Sequence, residues 1–451
     1  MSKKSDWLTV LSLKDFVSFF TSDELAEVSM SCKKFRSKLN TTIFKSFNFN
    51  SFVDTKIYQS YTINEDLYMI IKANQNVESF HPRGPHNTAN EKIAESKEQF
   101  QSDLSSFPCQ PNRLDIYFTN NYHYLLENTT NVFTMLTSII ISSSKIKSQT
   151  FQYLLDNIQK LESLMLSDSF LYETPYSHPA HIRWPASLKK LILYNNAAAS
   201  YDNSNNSNLS VSTIKGHIIT FRVNLSPRYL PNLKFFHFVT KFDPNTEEII
   251  EFLILNPQIV NLKIGGHYYD TQLLAAIKSI SDLNRLYLNS SYYDMNLNEH
   301  MDNSLLSNVS CLIITWEYIG INNEKLISMF SNLSKLVIKL NSEEFGNIRS
   351  LITKFRTVKD ISLKLKVHSS DLKEFNFPES LNLKVVEFNF NISNRFESIK
   401  WNADACPNLK LIELTNSRQE SFDESKLKSE LDTDWKAIYF PYKISYYRIN
   451  Q

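Results

Sequence analysis

The chain has 451 residues, 42% of them hydrophobic, with 48 basic against 47 acidic side chains and a formal net charge of +1. That balance gives no strong pull toward nucleic acid or an anionic membrane surface, and only six glycines argue against phosphate-cradling loops, which need glycine where backbone meets ligand. Cys32, Cys109, Cys311 and Cys406 have no metal-ligand spacing and read as free thiols of a cytoplasmic or nuclear protein. The first residues lack the apolar core of a signal peptide, and no apolar run reaches membrane-spanning length.

Residues 1–42 differ from everything after them. Ser12 with Asp15 caps a first helix bearing Leu13, Phe16, Val17 and Phe20. Thr21 with Glu24 has capping-box spacing for a second, whose apolar face is Leu25, Val28, Met30 or Cys32, Phe35 and Leu39. Cys32 is expected in a buried helix–helix contact. One reading of this hairpin is a cap over the open end of a larger stack.

Residues 43–110 hold two degenerate apolar triplets, at Phe44, Phe47 and Phe49 and again around Val77 and Phe80. The segment 81–106, which opens on His81-Pro82-Arg83-Gly84-Pro85-His86 and continues charged and serine-rich, is expected to be a mobile loop.

From residue 111 to the end a spacing of apolar-x-x-apolar-x-apolar returns. Its clearest copies begin at Ile259, Leu283, Val309, Leu333, Val358, Leu383 and Leu409, in steps of 24, 26, 24, 25, 25 and 26 residues. Leu136, Leu161 and Leu188 begin earlier copies. Ile218, Phe221 and Val223, then Leu233, Phe236 and Phe238, continue the pattern, and Trp435, Ile438 and Phe440 repeat it after Leu409. No copy can bury a core alone, so neighbours must stack into a solenoid. The polar run 197–212 cannot contribute core and is expected to be a disordered insertion. Helical patterns lie between copies, at 247–253, 272–277, 324–330 and 348–352.

A strand plus a helix in each period resembles the leucine-rich-repeat family, and Cys406-Pro407-Asn408-Leu409 resembles the opening of its cysteine-containing subtype. The resemblance implies an α/β horseshoe with parallel strands on the concave side and helices on the convex side. At the polar ladder position, three residues past the last apolar one, Asn196, Asn341 and Asn391 fit the family, while Ser169 and others depart from it. The N-terminal run Leu8, Phe16-Val17, Leu25, Cys32-Lys33 and Phe35 falls in register with the F-box pattern, with Thr9 where that family has proline. That resemblance implies contact with the Skp-type adaptor of a cullin–RING ubiquitin ligase through Leu8, Phe16, Val17, Phe20, Leu25, Val28, Cys32 and Phe35. The family's repeats would then hold a protein substrate.

No P-loop, dinucleotide-binding, nucleophile-elbow or zincin pattern occurs. His178 and His181 flank a proline with no carboxylate or cysteine cluster beside them. The expectation is a non-enzyme without cofactor or metal, with no nucleic-acid or membrane partner. Strand alternation sends the residues between the repeating apolar positions to the concave face. Lys263, Tyr287, Ile313, Trp316, Val337 and Lys339 are therefore the expected substrate-binding positions, since large amphipathic side chains anchor protein interfaces. The alternative is a leucine-rich-repeat scaffold with no ligase role.

Overall fold

The computed structural model describes residues 22–56, 86–107, 109–119, 122–172, 181–202, 211–214, 217–222, 225–240, 246–265, 271–289, 306–315, 329–341, 357–367, 374–377, 379–390, 400–416, 435–440 and 443–449, with Val17, Phe20, Tyr58 and Ile352. They fall into two compact units, Met1–Asn256 and Pro257–Gln451.

The first unit begins with helices α1 (Ser22–Ser31) and α2 (Lys33–Ile43). The single helix expected across this stretch is broken at Cys32. Ser29 and Ser31 donate their hydroxyls to the Ala26 and Val28 carbonyls, both at 2.6 Å, a back-bonding that loosens helical turns. Cys32 then starts the next helix: its Sγ accepts the Phe35 N–H at 3.4 Å and its carbonyl the Arg36 N–H at 3.0 Å. The thiol expected in a buried contact is therefore an exposed cap. Leu25 and Leu39 centre a small apolar cluster with Val17, Phe20, Val28, Phe35 and Ile43 packed against it.

Next come β1 (Ser46–Asn48), the short helix α3 (Phe49–Asp54), α4 (His86–Ser105) and β2 (Arg113–Tyr117). Helix α4 overturns the expected mobile loop at 81–106. Its inward positions, Ile93, Ser96, Phe100 and Leu104, follow helical spacing, and Phe100 and Leu104 have no exposed surface. The few apolar residues among many polar ones hid the pattern. Phe100 meets Phe49, Phe52 and Tyr58 edge-on, and Phe107 meets Phe47 and Phe133. These contacts bind the crossover to the first strands. Val77 and Phe80 lie outside the described residues.

The unit continues through α5 (Leu126–Val132), β3 (Ser138–Ser142), β4 (Lys145–Lys147), α6 (Ser148–Asn157), β5 (Ser163–Ser167), β6 (Phe170–Tyr172), β7 (Lys190–Tyr194), β8 (Ala197–Asp202), β9 (Val211–Ile214), β10 (His217–Arg222), β11 (Phe235–Val239) and α7 (Thr246–Leu255). Strands β1, β2, β3, β5, β7 and β11 pair side by side in parallel. The register sets Leu114, Ile139, Leu164, Leu191 and Phe236 in one buried row and Ile116, Ile141, Leu166, Leu193 and Phe238 in the next. Each such side chain contributes about 1.5–3 kcal/mol on burial.

The corners after β2, β3, β5 and β7 have the same form. Phe118, Ser143, Asp168 and Asn195 take positive φ of 52°, 49°, 46° and 49°. The N–H of each donates to the last carbonyl of the next strand, for example Ser143 to Ser167 at 2.9 Å. The following residue forms a second, side-chain ladder. The Thr119 N–H donates to Ser144 Oγ at 3.1 Å, that of Ser144 to Ser169 Oγ at 3.2 Å, and that of Ser169 to Asn196 Oδ1 at 3.1 Å. Serine here does what Asn196 does at the end of the ladder, because each hydroxyl accepts from one repeat and donates to a carbonyl of its own.

Beyond the corners β4, β6 and β8 pair in parallel, and β10 joins β8 and β9 antiparallel. The disordered insertion expected at 197–212 is therefore corrected at both ends, where β8 takes 197–202 and β9 begins at 211 because their backbones pair with β6 and β10, while 203–210 lie outside the described residues. The segment at 218–223 does not resume the main ladder: β7 pairs directly with β11, and β10 belongs to the smaller sheet.

The second unit holds β12 (Asn261–Gly265), α8 (Thr271–Lys278), β13 (Arg285–Asn289), β14 (Cys311–Thr315), β15 (Lys335–Asn341), β16 (Asp360–Val367), β17 (Glu374–Asn376), β18 (Leu383–Phe390), β19 (Lys400–Asn402), β20 (Leu411–Asn416), β21 (Trp435–Phe440) and β22 (Lys443–Arg448). Strands β12, β13, β14, β15, β16, β18 and β20 run parallel, and β17 pairs with β19 alone. Leu262, Leu286, Leu312, Leu336 and Ile361 form one buried row, and Ile264, Leu288, Ile314, Ile338 and Leu363 another. Helices α7 and α8 cover the expected patterns at 247–253 and 272–277; those at 324–330 and 348–352 fall almost wholly outside the described residues. Asn308, Asn332 and Asn408, each just before a repeat's first apolar residue, donate to a carbonyl of the preceding repeat.

The C-terminal triplet is not a further parallel repeat. Strand β22, rather than β21, lies beside β20, antiparallel, and β21 folds back on β22. Apolar spacing does not encode strand direction, and two residues between β21 and β22 permit a hairpin but no crossover.

Candidate protein-interaction faces

The residues at odd positions of the second unit's strands face away from its buried rows. Register aligns Lys263, Tyr287, Ile313, Val337 and Ser362, one residue per strand. A neighbouring row holds Thr315, Lys339, Lys364, Glu387 and Glu413. Five of the six expected positions therefore share one face; Trp316 lies outside the described residues.

The face is less open than expected. Ile313 and Val337 are buried with Cys311 in one cluster, against which Tyr287 packs. Alternation told which side these side chains take but not how tightly that side closes. Cys311 was missed as a member of this face, although it precedes Ile313 by two and must point the same way.

Charge is unevenly distributed over the face. Lys364 pairs with Glu387, and Lys443 with Glu413. Lys263 and Lys339 have no ion pair among the described residues. Burial holds both ammonium groups below the usual lysine range, and proximity adds to it, Lys339 acting on Lys263 and Lys364 on Lys339, with Glu387 opposing the effect at Lys339.

The matching row of the first unit has different chemistry. Ile140, Met165 and Ile192 are half-buried neighbours ending at His237, and the one charge in the row, Asp115, is taken by Arg113 at 2.6 Å. A cleft beside β1, lined by Asn48, Asp54, Tyr117, Phe118 and Tyr122, brings one carboxylate and no other ionisable group but tyrosine.

Of the positions expected to contact an adaptor, Leu8 and Phe16 lie outside the described residues. Leu25 is buried, Val17, Phe20, Val28 and Phe35 are half-buried against it, and Cys32 is exposed. Met30 stands 66% exposed. Among the described residues no three His, Cys, Asp or Glu side chains gather to hold a metal, and no helix is long and apolar enough to cross a membrane.

No protein-family model matches the chain, and no curated protein matches it. Among solved structures, an internalin from Listeria monocytogenes is similar at 15% identity, covering 79% of this chain and 86% of that one with a TM-score of 0.30. In the runs beginning at Leu136 and at Ile259, apolar triplets at steps of 24 to 27 residues fall on parallel strands paired side by side, a stacked-repeat architecture within each unit.

Proposed function

We propose that the chain is a non-catalytic interaction scaffold that holds a partner protein on the sheet face of its second unit. The observation that carries this is the Tyr287 ring, packed on the Cys311, Ile313 and Val337 cluster in a row that starts with Lys263. An aromatic on an apolar floor beside cations is the composition of an interface centre. The finer reading makes the scaffold the substrate-recognition subunit of a Skp–cullin–F-box ubiquitin ligase, with residues 8–35 docking on the Skp-type adaptor. Its support is the F-box resemblance, together with a helical pair that has its own apolar cluster. One observation favours the plainer scaffold: α2 ends at Ile43 and β1 starts at Ser46, so the pair runs straight into the first strand, as a cap would.

Pull-down of the full chain with a purified Skp-type adaptor separates the two. Saturable capture supports the ligase subunit. No capture at tens of micromolar removes the ligase role and leaves the scaffold.

A further inference from the structure

Lys263 and Lys339 stand three strands apart on one face, roughly 15 Å between backbones at the usual strand spacing. Between them lie Tyr287, Ile313 and Val337. Both lysines are half-buried. On this same face two other lysines are answered by Glu387 and Glu413. A half-desolvated ammonium without an ion pair is costly, Glu387 offsetting only part of that cost at Lys339, and one further opposite charge arriving at low dielectric relieves it. The equivalent row of the first unit, Ile140, Met165 and Ile192, carries no such cation.

We propose that this face takes an acidic segment of a partner protein, its Asp or Glu carboxylates between Lys263 and Lys339 and an apolar side chain against Tyr287. The inference rests on the scaffold reading above and adds the chemistry of the partner. Charge complementarity of this kind steers encounter and sets specificity. At the far end of the face the cations are already paired with Glu387 and Glu413 and offer an acidic chain no net attraction, which favours placement on the Lys263 side.

The test is selection from a random peptide display library on the full chain, followed by rebinding of the selected peptides to three variants. K263Q/K339Q removes both charges, E387Q removes a competing carboxylate, and Y287S removes the aromatic contact. The expected result is enrichment of Asp and Glu, with at least about a tenfold weaker Kd in K263Q/K339Q, a factor set by the electrostatic share of such contacts. Binding should also weaken with added salt. The lysine variant loses repulsion between these cations and from Lys364 as well as a smaller attraction to Glu387, so its Tm should stay nearly unchanged, and the single variants assign any fall. Peptides that depend on Tyr287 but are neutral or basic and indifferent to both lysines would overturn the acidic partner and keep the face. No peptide that responds to Y287S or to the lysines would overturn both.

Discussion

The Thr119 N–H donates to the Ser144 hydroxyl across two repeats at 3.1 Å, and both residues are 1% exposed. Ser144 in turn donates that hydroxyl to the Ser142 carbonyl. One small side chain therefore satisfies the buried Thr119 N–H and adds a second donor to the Ser142 carbonyl, which already accepts the Phe118 N–H. Ser144→Ala leaves the Thr119 N–H unmet, while the Ser142 carbonyl keeps the Phe118 N–H, and should cost about 1–3 kcal/mol. Ser106→Ala, at an exposed turn, is the control. Urea midpoints measured for both variants check this; equal midpoints would mean the ladder is dispensable.

Helix α4 should behave as core. Phe100→Ala removes a ring without exposed surface and should cost about 3–5 kcal/mol. Hydrogen exchange should protect the amides around Phe100 and Leu104 as strongly as those of β2. Rapid exchange there would restore the loop.

The thiols should separate by reactivity and by pH. Cys32 is exposed, whereas Cys406 has no exposed surface and burial pushes its thiol up to about 11, against smaller opposing effects of a backbone hydrogen bond at Ser380 and of Arg448. A maleimide should label Cys32 in the native protein and Cys406 only on unfolding. The folded pKa is the higher one, so the unfolded chain loses this proton first. The contribution is complete below pH 9, the ordinary thiol value, and is lost as pH rises toward 11. Cys406→Ala should flatten that part of the stability profile, and an unchanged slope would count against it.

Adaptor capture and melting should come apart within the helical pair. Phe35 packs on the Leu25 and Leu39 cluster, so Phe35→Ala should lower Tm as well as any capture. Leu8→Ala lies ahead of both described helices and should weaken capture with Tm nearly unchanged. If neither variant alters capture of a partner while Phe35→Ala lowers Tm, the pair is a cap.

Much of this architecture was legible before any coordinates, because a 2.0-residue alternation repeated at near-constant steps has few physical solutions. Leu286 and Leu288 fall on the buried side, and Lys263, Tyr287 and Ile313 share the other, as alternation requires. Three things were not legible, each for a definite reason. The inward positions of α4 include Ser96, which no hydrophobic pattern marks. Trp435, Ile438 and Phe440 have the repeat's spacing but run in the opposite direction, which spacing does not record. The closure of Ile313 and Val337 with Cys311 depends on how neighbouring side chains cover one another, and no single strand contains that information.

The left-handed corners carry one more consequence. Phe118, Ser143, Asp168 and Asn195 each hold a conformation that glycine adopts freely and that costs other residues about 1–2 kcal/mol. Asn and Asp soften that cost with local hydrogen bonds; phenylalanine has no such means, and Phe118 keeps 71% of its surface in water. With six glycines in the whole chain, none sits at these four corners. The fold thus carries a reserve of stability it does not draw on, and an engineer seeking a hardier version would begin by writing glycine at Phe118.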